Sequence, residues 1–387
     1  MKIVEKDNHR FFLIILALLL GLMLPAAPAW AQPWVSSPYY CLMDRSSGQI
    51  LLSQQGEVVR PVASTTKMMT AVLALEYADL NEIAVVSEHA DRTAEYTIGL
   101  RAGQKMRMAD LMKAALICSA NDAAVVIAEH VAGDEALFGH LMSLKAFILG
   151  ASNTHFCNAS GLPAVNHYST AIDLAVIGRY ALSLDHFKKL VGMAQAEIRH
   201  PGYQKPLTIR NTNGLLGNYP GADGIKTGTT NAAGKCLVAS ATREGRKLIA
   251  VALKSGNRQG DCARLLDYGF ENYTLQKIIN HQVAFKTLKI DNGAKPYVDI
   301  FPGSDLWAWV GEKHPHIEKI VNMDYSITAP VTKGQKVGEL NVYSEGKLLK
   351  TIDLVIGENI NEQPGWIKRM YQHIFDSAKG KLLLNTE

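Results

Sequence analysis

The order of strand and helix signals constrains this chain more than any other property. Short apolar runs that read as strands stand at Tyr39 to Met43 and Ile50 to Ser53, joined by the turn Asp44-Arg45-Ser46-Ser47-Gly48. Strand signals return only far downstream, at Leu207 to Arg210, Ile225 to Gly228, Lys235 to Thr242 and Lys247 to Leu253, with a turn at Arg243-Glu244-Gly245-Arg246. Between the two sets, from Val85 to about Leu184, the pattern is mostly helical. Ala109 to Val131 is rich in Ala, Leu, Ile and Val at helical spacing, and Thr170-Ala171-Ile172-Asp173 opens a further helix with a capping-box pattern. Strands flanking a helical block are accommodated by one sheet that carries a helical insertion.

After a helix near Asp261 to Tyr273 the character changes. From about Leu275 to Gly357 short alternating runs are split by Asp-Asn-Gly, Pro-Gly and Lys-Gly, which reads as a small all-β domain, a spacer or interaction platform. His314-Pro315-His316 within it reads as a surface turn. Beyond Pro364, Trp366, Ile367, Met370, Tyr371, Ile374 and Phe375 fall on one helical face, with Lys368, Arg369 and Gln372 opposite, a basic amphipathic helix suited to a membrane surface. At the other end, Lys2, Lys6 and Arg10 precede the apolar run Phe11 to Leu24 and the small-residue site Ala29-Trp30-Ala31, so the first 31 residues read as a secretory signal cleaved after Ala31. The five cysteines (Cys41, Cys118, Cys157, Cys236, Cys262) are widely spaced and odd in number, with no metal-site pattern, and read as buried free thiols. A net charge of +4 without a basic stripe gives no nucleic-acid footprint.

Chemistry concentrates in Pro61-Val62-Ala63-Ser64-Thr65-Thr66-Lys67-Met68, where a hydroxyl and an amine sit a turn apart at the start of an apolar helix. A neutral lysine beside a serine can take the proton that must leave as the oxygen attacks. The ordinary lysine pKa of about 10.4 makes that neutral form cost roughly 4–5 kcal/mol at pH 7 unless burial or a second cation lowers it. Ser-x-x-Lys is weak alone: a second copy, Ser344-Glu345-Gly346-Lys347, reads as a solvated hairpin. Two further pieces add weight. Ser119-Ala120-Asn121 places a hydroxyl and a carboxamide inside an alanine-rich helical segment, where burial demands partners. Lys226-Thr227-Gly228 opens a strand after the tight turn at Asp223-Gly224, and its glycine lets a backbone come close.

With Ala63-Ser64-Thr65-Thr66-Lys67, Ser119-Ala120-Asn121-Asp122, Asn213-Gly214-Leu215-Leu216 and Asp223-Gly224-Ile225-Lys226-Thr227-Gly228 in this order, the chain resembles the serine D-alanyl-D-alanine carboxypeptidases, the low-molecular-mass penicillin-binding proteins. The resemblance implies an α/β (α+β) transpeptidase/β-lactamase-like domain over 32–274, with an antiparallel sheet and a helical insertion at about 80–185. A small β domain over 275–360 and the amphipathic helix over 361–387 follow. It implies an exported enzyme on the outer face of the cytoplasmic membrane that takes the terminal D-alanine from peptidoglycan pentapeptide stems, serves cell-wall synthesis and cell shape, needs no metal or other cofactor, and is acylated by β-lactam antibiotics. Ser64 would be the nucleophile, Lys67 the base and Ser119 the proton relay to the leaving amine. Asn121 would hold the substrate amide, Lys226 and Thr227 would meet the terminal carboxylate, and the strand through Gly228 would pair with the peptide edge to edge. Backbone N–H groups of Ser64 and Thr229 would form the oxyanion hole. Thr212 and Thr229 stand where some relatives carry arginine and histidine.

Three alternatives compete. A β-lactamase shares the three motifs, but the glutamate loop Glu-x-x-Leu-Asn is missing after Asn121. A D,D-endopeptidase would use the same groups on cross-linked peptides. A non-catalytic wall-binding protein would retain the fold without turnover.

Overall fold

A computed structural model describes residues 33–311, 317–366, 370 and 373. The first two strands, β1 (Tyr39–Asp44) and β2 (Ile50–Gln54), pair around a turn held by the Asp44 carboxylate, which accepts from the Ser46 and Ser47 hydroxyls and the Ser47 N–H. A 3-10 turn at Ala63–Thr66 leads into α1 (Lys67–Tyr77). A small hairpin, β3 (Ile83–Val85) with β4 (Lys105–Arg107), encloses the short α2 (Glu88–Asp91). The helical block continues with α3 (Met108–Lys113), α4 (Asn121–Ala132), α5 (Glu135–Ile148), α6 (Ala171–Ala181) and α7 (Asp185–Val191). A second hairpin, β5 (Gln195–Ile198) with β6 (Leu207–Arg210), leads to β7 (Ala222–Thr230), β8 (Gly234–Arg243), β9 (Arg246–Ser255) and α8 (Arg258–Glu271).

The early and late strands join one five-stranded sheet in the order β2-β1-β9-β8-β7, antiparallel throughout. Continuous buried runs in its central strands, Cys236–Ala241 and Leu248–Leu253, reflect cover on both faces. The helical block packs its Met, Ala, Val and Leu side chains on one face, and α8 packs Cys262, Leu265 and Leu266 on the other. β7 lies at the edge, with one side unpaired by the sheet. Thr170 caps α6 as the sequence pattern implies, its hydroxyl accepting from Asp173 N–H at 3.0 Å.

The run from Ala109 to Val131 is not one helix. α3 ends in a single π turn, Ala114–Cys118, Ser119 takes a left-handed conformation at φ +68°, and α4 starts afresh at Asn121. Alanine content sets helical propensity but cannot reveal this interruption, which turns the two polar residues out of the helix ladder. All five cysteines are free; Cys41, Cys236 and Cys262 are buried, while Cys118 and Cys157 are half-buried.

From Tyr273 to Ile356 the elements among the described residues are all strands: β10 (Tyr273–Ile279), β11 (Lys286–Asp291), β12 (Tyr297–Pro302), β13 (Leu306–Gly311), β14 (Ile317–Met323), β15 (Ile327–Thr328), β16 (Lys336–Ser344) and β17 (Lys347–Ile356). β10 pairs with β13, and the others form a six-stranded sheet in the order β14-β16-β17-β12-β11-β15. Leu288, Ile300, Leu340, Val342 and Leu354 form its own core. Both of these sheets are fastened to the first, one through Trp309 on β13 and the other through Ser344 on β16. Gln49 exchanges 2.8 Å hydrogen bonds with the backbone N–H and C=O of Trp309, and Arg246 stacks over the Trp309 ring at 3.4 Å. Ser344 belongs to this junction: it is a hairpin residue as read, but buried rather than solvated, donating to Ile50 O at 3.0 Å. Its Lys347 pairs with Glu57 at 2.6 Å, so the second Ser-x-x-Lys has a docking role.

His314-Pro315-His316, the amino-terminal leader and the tail residues Ile367, Tyr371, Ile374 and Phe375 lie outside the described residues. Trp366, Met370 and His373 are helical, and the first two are well exposed. No helix among the described residues is long and apolar enough to cross a membrane.

Candidate active site

The start of α1, the break before α4 and the edge strand β7 converge on one cleft. Ala63, at φ +50°, swings the chain so that the 3-10 turn presents Ser64 ahead of the helix. Three residues on, Lys67 is wholly buried, with Nζ 2.9 Å from Ser64 Oγ, 2.6 Å from Asn121 Oδ1 and 2.7 Å from the backbone oxygen of Ser160. Burial, and after it the nearby Lys226 ammonium, push the Lys67 pKa well below its ordinary value. A neutral amine has two N–H bonds and one lone pair. Asn121 Oδ1 and Ser160 O can only accept, so they take both N–H bonds and leave the lone pair for the Ser64 hydroxyl.

Asn121 is fixed in turn. Its Nδ2 donates to Ala94 O at 3.2 Å and Glu95 O at 2.9 Å, and its N–H donates to Tyr96 O at 2.9 Å. Glu95 and Tyr96 both have positive φ, and the adjacent Asp122 carboxylate accepts from the N–H groups of Ile98, Gly99 and Leu100. Both Nδ2 hydrogens are thus spent on the protein, while Oδ1 keeps a second lone pair. Ser119 stands two residues earlier, 7% exposed, and its hydroxyl has no hydrogen-bond partner among the described residues.

On β7, Lys226 is buried and donates to Thr227 O at 3.1 Å; burial above all brings its pKa down to about 7. The Thr227 hydroxyl meets that of Thr212 at 2.6 Å. Gly228 lies flat against the nucleophile turn: a Cβ there would sit 2.9 Å from both Ser64 N and Val62 O. Thr229 Oγ1 accepts from Arg258 at 2.8 Å, and the same guanidinium nitrogen donates to Gly228 O at 3.0 Å. The structure therefore gathers Ser64, Lys67 and Asn121 by direct bonds, and lays Gly228 on the same turn.

Ser160, Arg258 and His167 were not picked out by sequence reasoning. Asn158-Ala159-Ser160-Gly161 carries a turn signal, realised as Asn158 Oδ1 accepting from Gly161 N–H at 2.7 Å, which could have marked the Ser160 loop. Arg258 follows Asn257, the side-chain cap of α8. His167 sits in a segment without periodicity.

The sequence profile of the family described as D-alanyl-D-alanine carboxypeptidase matches residues 27–257, and that of the penicillin-binding protein 5 C-terminal domain matches residues 273–362. The chain belongs to the D-alanyl-D-alanine carboxypeptidase family. It is 30% identical to the D-alanyl-D-alanine carboxypeptidase DacF of Bacillus subtilis, over 88% of this chain and 90% of that one. Among solved structures, the carboxypeptidase DacD of Francisella tularensis superposes with a TM-score of 0.68 at 25% identity, covering 86% of this chain and 95% of its own. Penicillin-binding protein 5 of Haemophilus influenzae gives 0.66 at 27%, covering 86% and 99%. This D-alanyl-D-alanine carboxypeptidase is a serine peptidase with the penicillin-binding fold, and the β-lactamase and wall-binding alternatives are not favoured.

Proposed function

We propose that Ser64 and Lys67 carry out the carboxypeptidase reaction on peptidoglycan stem peptides ending in two D-alanines. The observation that carries this reading is the wholly buried Lys67 amine 2.9 Å from Ser64 Oγ, with two obligate acceptors on its other sides. Lys67 takes the hydroxyl proton as Ser64 Oγ bonds to the carbonyl carbon between the two D-alanines. The negative charge that develops on the carbonyl oxygen is met by the backbone N–H groups of Ser64 and Thr229. Collapse breaks the C–N bond, and the leaving amine of D-alanine receives a proton through Ser119, whose unpartnered hydroxyl is available for it. Water then hydrolyses the acyl-enzyme with Lys67 again as base. Asn121 orients Lys67, and the second lone pair of its Oδ1 accepts from the substrate amide.

The substrate lies extended along the open side of β7 and pairs with it. Lys226 and Thr227 take the terminal carboxylate, and Arg258, bridged to β7 through Gly228 O and Thr229 Oγ1, adds a fixed cation at that end. A β-lactam enters the same way and stops at the acyl-enzyme. We also propose export through the amino-terminal leader and peripheral attachment to the outer face of the cytoplasmic membrane by the tail, where Trp366 and Met370 are helical and exposed.

Mass spectrometry of a muropeptide ending in two D-alanines, before and after incubation, tests the reaction: loss of one alanine is expected, and an unchanged mass overturns it. Ser64→Ala should take up no fluorescent penicillin while melting as the native enzyme does. Labelling at the native rate would remove Ser64 from the role.

A further inference from the structure

His167 contacts neither the nucleophile nor the base, yet it is 5% exposed and packs edge-on to Phe156 directly behind the Ser64 turn. Its ring is fixed in one tautomer by its neighbours. The Cys157 backbone N–H, 3.1 Å away, can only donate, so Nδ1 is an acceptor and the proton is on Nε2. Nε2 lies 2.8 Å from Thr66 Oγ1 and donates to it. The Thr66 hydroxyl then has its own hydrogen free for one acceptor, and spends it on the Ala63 carbonyl oxygen at 2.9 Å.

That oxygen is the other end of a peptide plane whose N–H belongs to Ser64. Peptide planarity ties the two together, so gripping Ala63 O fixes the direction of Ser64 N–H. The grip is two-sided. Gly161 approaches the same carbonyl so closely that a Cβ would lie 2.0 Å from Ala63 O and 2.9 Å from Thr66 Oγ1, and Gly161 follows Ser160, whose oxygen holds Lys67. Ala63 itself has φ +50°, a conformation that an L residue keeps only when its surroundings impose it.

We propose that His167 is a positioning residue for acylation: through Thr66 it locks the Ala63–Ser64 peptide plane and so aims the Ser64 N–H at the oxygen of the carbonyl under attack. A mislaid plane weakens a hydrogen bond that forms fully only in the transition state, so the loss falls on the acylation step and not on ground-state binding. The inference rests on Ser64 being the nucleophile.

The test is the saturation behaviour of fluorescent-penicillin acylation in the full-length enzyme, which separates the limiting rate from the half-saturating concentration. His167→Asn retains an acceptor for Cys157 N–H but is too short to reach Thr66. His167→Gln retains a donor at the Nε2 distance. Thr66→Val keeps shape without the hydroxyl, and Thr66→Ser keeps the hydroxyl. The limiting rate should fall about tenfold or more in His167→Asn and Thr66→Val, with half-saturation within about threefold of native, and should recover in His167→Gln and Thr66→Ser. A merely structural role predicts equal harm from His167→Asn and His167→Gln, tracking melting temperature. That result, or native limiting rates in both His167→Asn and Thr66→Val, overturns the proposal. If His167→Asn fails to fold, the Thr66→Val and Thr66→Ser pair decides alone. Labelling of Ser64→Ala at the native rate would instead remove the nucleophile on which the inference stands.

Discussion

Replacing Gly228 by alanine puts the geometry of the cleft under direct stress. The added Cβ would lie 2.9 Å from Ser64 N, 2.9 Å from Val62 O and 3.1 Å from Ala63 Cβ. Two of these are backbone atoms, so no side chain can rotate away. To reach an ordinary separation of about 3.5 Å, strand β7 and the nucleophile turn must part by roughly half an ångström. Overpacking of this kind costs about 1–3 kcal/mol, which in a domain of this size lowers Tm by roughly 2–12 °C. The catalytic effect should be larger in proportion. The displaced group is the Ser64 N–H, the proposed oxyanion donor, and removing such a donor outright costs about 10²–10³ in rate. A half-ångström displacement should therefore cost about ten- to a hundredfold in acylation. Stopped-flow acylation by a fluorescent penicillin gives the rate, and a thermal melt gives the stability. Gly365→Ala, where a Cβ meets nothing within 4 Å, serves as control and should change neither. Acylation within twofold of native in Gly228→Ala, with an unchanged Tm, would refute the claim that the strand and the turn share this contact.

Arg258→Gln should weaken turnover of peptides with a free terminal carboxylate by about tenfold, the value of a charge-assisted hydrogen bond, and should spare amide-capped analogues; equal losses on both would separate Arg258 from carboxylate recognition. Lys226→Met removes the cation that, after burial, depresses the Lys67 pKa, so the acid limb of the acylation pH profile should move to higher pH; an unmoved limb argues that burial alone sets it. His167 is held by burial at a pKa of about 4, against about 6.5 for the unfolded chain. On acidification the unfolded state takes the proton first, so about 3 kcal/mol of stability should drain away as pH falls from about 6.5 to 4. Urea midpoints at pH 7 and 4.5 would show a smaller drop in His167→Gln than in the native chain; an equal drop would contradict this.

The parts of the site that were legible are those in which chemistry is local in the sequence. Ser64 and Lys67 are three residues apart on a helical turn, so helical geometry alone brings them together. Lys226 to Thr229 share one strand. The rest depends on distant chain: Ser160 O reaches Lys67 across 93 positions, and Arg258 reaches Thr229 across 29. A backbone carbonyl such as Ser160 O has no side-chain signature at all. The fold followed the same division. One sheet with a helical insertion could be read because both strand groups are strongly apolar, whereas β3 and β4 are three residues each with only the middle one buried, too short for alternation to register. The break at Ser119 escaped notice because left-handed serine is a choice of the tertiary structure and not of local propensity.

Gln49, Ser344 and the Lys347–Glu57 pair give the second sheet a consequence beyond its own stability. They make it a strut and not a tether. If the tail meets a membrane as proposed, the second sheet then holds the cleft at a stand-off instead of letting it swing on a loose link. Cutting those bonds would leave the chemistry of Ser64 intact in solution while changing which layer of a substrate mesh it can reach.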